Sequence, residues 1–110
     1  GDEVLIRSAR RIKSAVRGSA LVARVGGEEF VVADLADRGV EDRWDFDRIR
    51  EAIAAPAPQE ITASVGVTSI RLASFAEPGA NSVALIDGCI ASADRAMFDA
   101  KRNGGNTTVT

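Results

Sequence analysis

Two adjacent glycines followed by two adjacent acids, Gly26-Gly27-Glu28-Glu29, separate two short runs of β-forming residues. The runs cover residues 20–25 and 30–35. Such runs on either side of a Gly-Gly turn are typical of an antiparallel hairpin, because glycine adopts the backbone angles that a tight turn needs. The sequence therefore predicts a hairpin that carries Glu28 and Glu29 at its turn.

Apolar residues at helical spacing predict three helices around this hairpin, over residues 3–17, 42–54 and 82–102. Ser82 is the expected N-cap of the third helix. The apolar stripe of that helix comprises Val83, Ile86, Ile90, Ala93 and Met97.

Alternating apolar and polar residues from Ile61 to Ile70 predict a further strand, and residues 107–110 a short last one. Helices mixed with largely antiparallel strands favour an α+β fold. We expect a two-layer sandwich, with one mainly antiparallel sheet flanked by helices.

The composition is that of one ordinary globular domain, with 110 residues of which 45% are hydrophobic and 27% charged. No apolar run approaches the roughly 20 residues that cross a bilayer. Cys89 is the single cysteine, which excludes an internal disulfide, and its apolar neighbours predict a buried thiol. Because histidine is absent, chemistry would rest on carboxylates, Lys, Arg and the backbone.

The formal net charge of −2 argues against nucleic acid as a partner. The first predicted helix does carry a basic cluster, which is interpreted as a solvated helix face. Its members are Arg7, Arg10, Arg11, Lys13 and Arg17.

The turn itself offers two interpretations. Adjacent glycines let a phosphate or sugar approach the backbone, and a carboxylate fixed beside them suits Mg²⁺, which prefers oxygen ligands. Successive side chains in extended chain point to opposite sides, so Glu28 and Glu29 are expected to serve different partners. On spacing alone, a solvated turn with two exposed acids is the simpler alternative.

Segments in the expected order resemble the GGDEF family of diguanylate cyclases, of which GGEEF is an accepted variant. The chain opens on GDEVL, similar to the family's GD-x-x-L, and Arg24-Val25 resembles the R-x lead-in to the glycines. Residues 62–67, TASVGV, resemble the T-x-S-x-G-x strand. Residues 93–101, ADRAMFDAK, resemble the AD-x-A-x-[YF]-x-AK helix, and Asn106 closes its G-R-N end.

The resemblance implies that two domains face each other as a homodimer and condense two GTP into cyclic di-GMP, using Mg²⁺, with Mn²⁺ as an alternative. It assigns Glu28 as metal ligand and proton acceptor and Glu29 as the second signature acid. Gly27 would lie against the substrate, Asp2 would accept hydrogen bonds from guanine, and Lys101 would contact phosphate. From the residues alone, Asp2 is equally a helix N-cap and Lys101 an ordinary solvated lysine.

The chain also departs from the family pattern. The family's opening strand and first helices, with an Asp metal ligand and a guanine-reading Asn, have no counterpart in residues 1–110, so a fragment of the domain is expected. Gly105 replaces a phosphate-contacting Arg, which removes a bidentate partner. In the inhibitory product motif R-x-x-D, Arg17 is kept but Ala20 replaces the acid, which puts product feedback in doubt.

Two functions follow from these observations. One is a diguanylate cyclase domain of palm-like fold, active in the complete protein and inactive as this chain alone. The other is a degenerate, non-catalytic domain that senses GTP or mediates dimerisation. The resemblance further implies a cytoplasmic domain without direct membrane contact, or the cytoplasmic part of a membrane-anchored sensor.

Overall fold

The computed structural model describes residues 2–36, 43–54 and 62–110, with the backbone alone for residues 2 and 43–45. The mixture of helices and short strands confirms the α+β class. The elements, in chain order, are helix α1 Asp2–Ala15, strands β1 Leu21–Gly26 and β2 Glu29–Ala33, helix α2 Arg43–Ala54, strand β3 Val65–Gly66, a 3-10 helix Leu72–Ala76, helix α3 Ser82–Arg102 and strand β4 Thr108–Val109.

The first part of the core lies between α1, α2 and the β1–β2 hairpin. Its buried residues are Ile12, Ile49 and Ile53, one from α1 and two from α2. Side chains from both strands pack against them, among them Val22 and Phe30. Because these apolar residues recur at helical spacing in α1 and α2, burying them draws the two helices together over the hairpin. The first two predicted helices are thus present and pack against each other.

A polar contact also connects α1 to α2. The Nη1 atom of Arg11 in α1 donates a hydrogen bond of 3.2 Å to the carbonyl oxygen of Ile53 in α2. Carbonyl groups in the last turn of a helix have no partner within the helix, so a basic side chain from a neighbouring element satisfies one of them. Arg11 is thus a structural contact, whereas the sequence assigned it to a solvated basic face.

The strands form two separate ladders within the described residues. β1 and β2 pair antiparallel, whereas β3 and β4 pair in parallel. The sequence predicted a single sheet and a strand over residues 61–70, of which Ile61 lies outside the described residues. β3 is restricted to Val65–Gly66 because its partner β4 has only two residues, and the nitrogens of Val65 and Val67 donate to the oxygens of Thr107 and Val109, both at 2.9 Å.

Helix α3 packs directly on β3 at a glycine. A Cβ atom at Gly66 would lie 2.0 Å from the carbonyl oxygen of Ala93 and 2.2 Å from the nitrogen of Met97. The backbones of strand and helix therefore touch at this point, and only glycine fits. Small residues on the facing side of α3 complete the contact, with Ala96 and Ala100 buried.

The prediction for α3 was right in its bounds and wrong in two details. The N-cap is Asn81 rather than Ser82, since the side chain of Asn81 accepts a 3.1 Å hydrogen bond from the nitrogen of Ala84. The first three residues of the predicted apolar stripe are exposed, by as much as 69% at Val83, because α3 packs through small residues in its C-terminal half. The 3-10 helix before α3 was not predicted.

Candidate functional site

The predicted hairpin is present, and its turn joins β1 to β2 through an irregular register. Arg24 pairs with Phe30 and Gly26 pairs with Glu29, so that one strand carries an extra residue next to the turn. Gly27 has a φ of 49°, in the left-handed region that glycine adopts without steric cost. The turn, residues 26–29, is called the hairpin tip below.

Both acids of the hairpin tip are accessible to ligands. Glu28 lies in the turn and Glu29 begins β2, and both are exposed. An ideal Cβ atom built on Gly27 meets no atom within 4 Å, so the backbone there is open to an approaching group. The tip therefore presents carboxylate oxygens, the kind of ligand that hard cations prefer, next to accessible glycine backbone.

The side chain of Arg24, part of the R-x lead-in to the glycines, closes the hairpin tip. The Nε atom of Arg24 donates a 2.9 Å hydrogen bond to the carbonyl oxygen of Gly27. This bond spans the turn on one side and limits the conformations of the glycine that precedes Glu28. In the sequence, Arg24 precedes Gly27 by three residues, which is close enough for a contact across the turn.

The other predicted site residues lie on separate helices. Asp2 is the first residue of α1, and its side chain is outside the described residues. Lys101 is exposed in the last turn of α3. The structure thus brings Gly27, Glu28 and Glu29 together in one turn, whereas Asp2 lies on α1 and Lys101 on α3.

Arg17 has an acidic partner that the R-x-x-D pattern did not reveal. Its Nε atom lies 2.8 Å from Oδ2 of Asp34, and its Nη2 atom donates to the carbonyl oxygen of Leu35. The Oγ atom of Ser19 donates to Oδ1 of Asp34 at 3.1 Å, and the nitrogen of Leu35 donates to the same atom at 2.8 Å. Asp34 follows β2, so the acid reaches Arg17 from across the hairpin rather than from position 20.

This cluster has an electrostatic consequence. The hydrogen bond from Arg17 lowers the pKa of Asp34 below its usual value of 3.8, and bonds from Leu35 and Ser19 act in the same direction against partial desolvation. Asp34 is therefore ionised at neutral pH and holds the guanidinium of Arg17. The pairing of Asp34 could not be predicted from the sequence, because it depends on the register of β1 and β2.

The family model for the diguanylate cyclase GGDEF domain matches residues 1–107 of this chain. The chain belongs to the GGDEF family. The hairpin tip is thus the family's signature turn in its GGEEF form.

Several curated relatives agree with this assignment. Diguanylate cyclase TpbB of Pseudomonas aeruginosa is 38% identical over 93% of this chain, and diguanylate cyclase A of Treponema denticola is 31% identical over 96%. A protein of Caulobacter vibrioides described as an uncharacterized signaling protein is 33% identical over 94%. The chain spans only 23%, 28% and 13% of the lengths of these three relatives, respectively.

The donor atoms at the hairpin tip fit the divalent metal ion that GGDEF diguanylate cyclases use. Mg²⁺ is usually held by one or two protein carboxylates and completes its octahedron with water and substrate phosphates. Glu28 would supply such a carboxylate and Glu29 a neighbouring one. Among residues 2–36, 43–54 and 62–110, no three His, Cys, Asp or Glu side chains form a group that could hold a metal ion.

Two further features lie outside the hairpin tip. Cys89, predicted as buried, is only half-buried, and it lines an open groove of about 280 Å³ between residues 68–70 and α3.

In the part of the chain that the structure describes, no helix is long and apolar enough to cross a membrane.

Proposed function

We propose that this domain, within its complete protein, is a diguanylate cyclase that condenses two GTP into cyclic di-GMP. The 3′-hydroxyl of one GTP attacks the α-phosphorus of the other, the bond to the β-phosphate breaks, and pyrophosphate leaves. The hydroxyl proton passes to a carboxylate or to water as the new phosphodiester forms. A second, reciprocal transfer closes the ring, so two pyrophosphates are released per product molecule.

The observation that supports the proposal is the hairpin tip. Two carboxylates stand beside a glycine whose Cβ position is open to at least 4 Å, on a turn closed by Arg24. Such a turn offers close backbone approach and fixed negative charge in one place, which a metal-dependent phosphoryl transfer needs.

The metal in this proposal is Mg²⁺, with Mn²⁺ as an alternative, held by Glu28 and shared with the substrate phosphates. When bound, it neutralises phosphate charge and lowers the barrier to attack on the α-phosphorus. The resemblance also assigns Glu28 as the proton acceptor, but a carboxylate bound to a cation is a weak base. The ligand role is therefore the stronger of the two. Glu29 contributes a second negative charge beside the metal and phosphates.

The remaining contacts come from the two helices. Asp2, at the start of α1, would accept hydrogen bonds from the guanine edge, a task for a carboxylate that only accepts. Lys101, exposed in the last turn of α3, would contact phosphate, and Gly27 would lie against the nucleotide. Because each domain binds one GTP, the reaction requires a homodimer with the two hairpin tips facing each other.

The same proposal sets the partners and the location of the domain. GTP is the substrate and cyclic di-GMP the product, with no role for nucleic acid or direct membrane contact. A cytoplasmic location follows from the use of GTP.

A second candidate function is a GTP-sensing or dimerisation module without turnover. Gly105 favours it, because the corresponding position in the family carries a phosphate-contacting guanidinium. An ideal Cβ at Gly105 would lie 3.4 Å from the Oγ atom of Ser64, so the backbone at this point is also close to the residue that precedes β3. Loss of one bidentate phosphate partner weakens substrate binding rather than removing the metal ligand.

The test is to incubate the complete protein with GTP and Mg²⁺ and to measure cyclic di-GMP and pyrophosphate. We expect both products in a 1:2 ratio. A Glu28→Gln variant keeps the size of the side chain but removes its charge, and should reduce the rate by about a hundredfold or more. Glu77→Gln, which removes an exposed acid between the 3-10 helix and α3, is the matched control and should retain the wild-type rate.

Each outcome bears on one interpretation. No product from the complete protein, with an active cyclase working alongside, would reject the enzymatic function. Saturable binding of GTP without product would then support the sensing module. Full activity of Glu28→Gln would reject the role of Glu28 while leaving the reaction itself intact.

A further inference from the structure

A group of polar side chains joins α2 to the turn that follows α3. In this turn, Gly104, Gly105 and Asn106 all have positive φ angles, of 103°, 72° and 48°. The first two are glycines and adopt these angles freely, whereas Asn106 bears a side chain and is less favourable there. A contact that holds Asn106 in this conformation would fix the whole turn.

Arg50 of α2 makes that contact. Its Nη1 atom donates to Oδ1 of Asn106 at 3.0 Å and to the carbonyl oxygen of the same residue at 3.3 Å. One guanidinium nitrogen therefore binds the backbone and the side chain of the left-handed residue together. A planar guanidinium suits this better than an ammonium group, because its donors are fixed in direction.

The guanidinium is itself held in place from α2 and β4. Its Nε atom is buried without a hydrogen bond and lies 3.5 Å from Oδ1 of Asp47, an ion-pair distance. Thr108 is a buried residue with 7% of its surface exposed, and its Oγ1 atom donates a hydrogen bond of 2.8 Å to the same Asp47 oxygen. Only 20% of the Arg50 side chain is exposed, although its partner Asn106 is exposed to solvent.

Backbone hydrogen bonds connect the same turn to the end of α3. The nitrogen of Gly104 donates to the carbonyl oxygen of Lys101 at 3.2 Å, and the nitrogen of Gly105 donates to that of Ala100 at 3.0 Å. These bonds satisfy the last carbonyl groups of the helix. The backbone of Lys101 is thus connected to Arg50 through the turn at residues 103–106.

From this chain of contacts we propose that Arg50 is a positioning residue that orients Lys101 toward the triphosphate of GTP. The inference rests on the proposed function, because it assumes that Lys101 contacts phosphate. Gly105 leaves Lys101 as the sole remaining cation of the family's Lys–Arg phosphate pair, which makes its orientation important for binding. The role of Asp47 is to hold the guanidinium of Arg50.

The test uses the complete protein and 3′-deoxy-GTP, which lacks the attacking hydroxyl and so binds without reacting. Arg50→Ala should weaken binding of 3′-deoxy-GTP about fivefold and leave binding of 3′-deoxyguanosine, which lacks phosphates, unchanged. In a Lys101→Ala background, Arg50→Ala should cause no further loss. Arg50→Lys should give an intermediate loss, and Arg10→Ala, an exposed arginine of α1, should cause none.

Amide hydrogen exchange without nucleotide supplies the structural readout. In Arg50→Ala, exchange should accelerate at Gly104 and Gly105 while the buried end of α3 at Ala96 remains protected. If Arg50→Ala does not fold, the same comparisons are made with Arg50→Lys, which keeps the charge and loses the paired donors.

Additive losses in the Arg50 and Lys101 variants, an equal loss for the nucleoside, or unchanged exchange at residues 104–105 would each overturn the positioning role. Those results leave the proposed function standing as long as the wild type binds 3′-deoxy-GTP. A wild type that does not bind it would reject the proposed function, and the positioning role would fall with it.

Discussion

Arg24 reaches across the hairpin tip to Gly27, with its Nε atom 2.9 Å from the glycine's carbonyl oxygen. The bond joins β1 to the residue just before Glu28, so it restricts the turn on which the signature acids stand. An arginine two residues ahead of the glycines therefore has a structural part in the site, separate from any contact with substrate.

Replacing Arg24 with Ala should lower the rate of cyclic di-GMP formation about tenfold, because the released turn samples conformations that misplace Glu28. The free energy of unfolding should change by less than about 1 kcal/mol, since the bond is exposed. Initial rates and thermal unfolding of the complete protein give both values. Lys13→Ala on α1 is the control, and an Arg24→Ala enzyme as fast as this control would contradict the role.

The Arg17–Asp34 pair predicts a dependence of stability on pH. The folded-state pKa of Asp34 is lowered below 3.8, so its contribution is present above the unfolded-state pKa and is lost as pH falls through the folded-state pKa. Thermal midpoints of wild type and Asp34→Asn should therefore differ at neutral pH and converge in acid below about pH 3.8. A difference that persists undiminished into acid would show that the charge of Asp34 is not involved.

Alanine substitutions at two glycines should have opposite effects on stability, because a Cβ atom has no room at one and open space at the other. Gly66→Ala should destabilise the fold by about 1–3 kcal/mol or more, because its Cβ would overlap backbone atoms that cannot move independently. Gly88→Ala, within α3, meets no atom within 4 Å and should stabilise by about 0.5–1 kcal/mol through helix propensity. Urea denaturation of both variants checks the sign, and a neutral Gly66→Ala would disprove the close approach.

The buried face of α1 predicts a similar contrast between two isoleucines. Ile12 is 2% exposed and Ile6 is 53% exposed on the same helix. Truncating Ile12 to Ala should cost about 2–5 kcal/mol of unfolding free energy, because it leaves a cavity between α1 and α2. Ile6→Ala should stay within about 0.5 kcal/mol of wild type. Equal effects in denaturant titrations would show that α1 does not pack as described.

Local patterns in the sequence were sufficient for much of this domain. The Gly-Gly turn between β-forming runs predicted the hairpin, and apolar periodicity predicted all three helices to within two residues at each end. These features depend on backbone preferences and on spacing along the chain, both of which are determined by residues close together in the sequence. The family assignment followed from the same local motifs.

Contacts between distant residues were decided only by the tertiary structure. Asp34 contacts Arg17 because of the register of β1 and β2. Arg50 contacts Asn106, which lies 56 positions further along the chain. Gly66 contacts α3 through the packing of β3 against that helix. The exposure of Val83 was likewise set by which face of α3 the small residues bury. Periodicity fixes which residues share a face, whereas the partner of that face depends on how the elements pack in three dimensions.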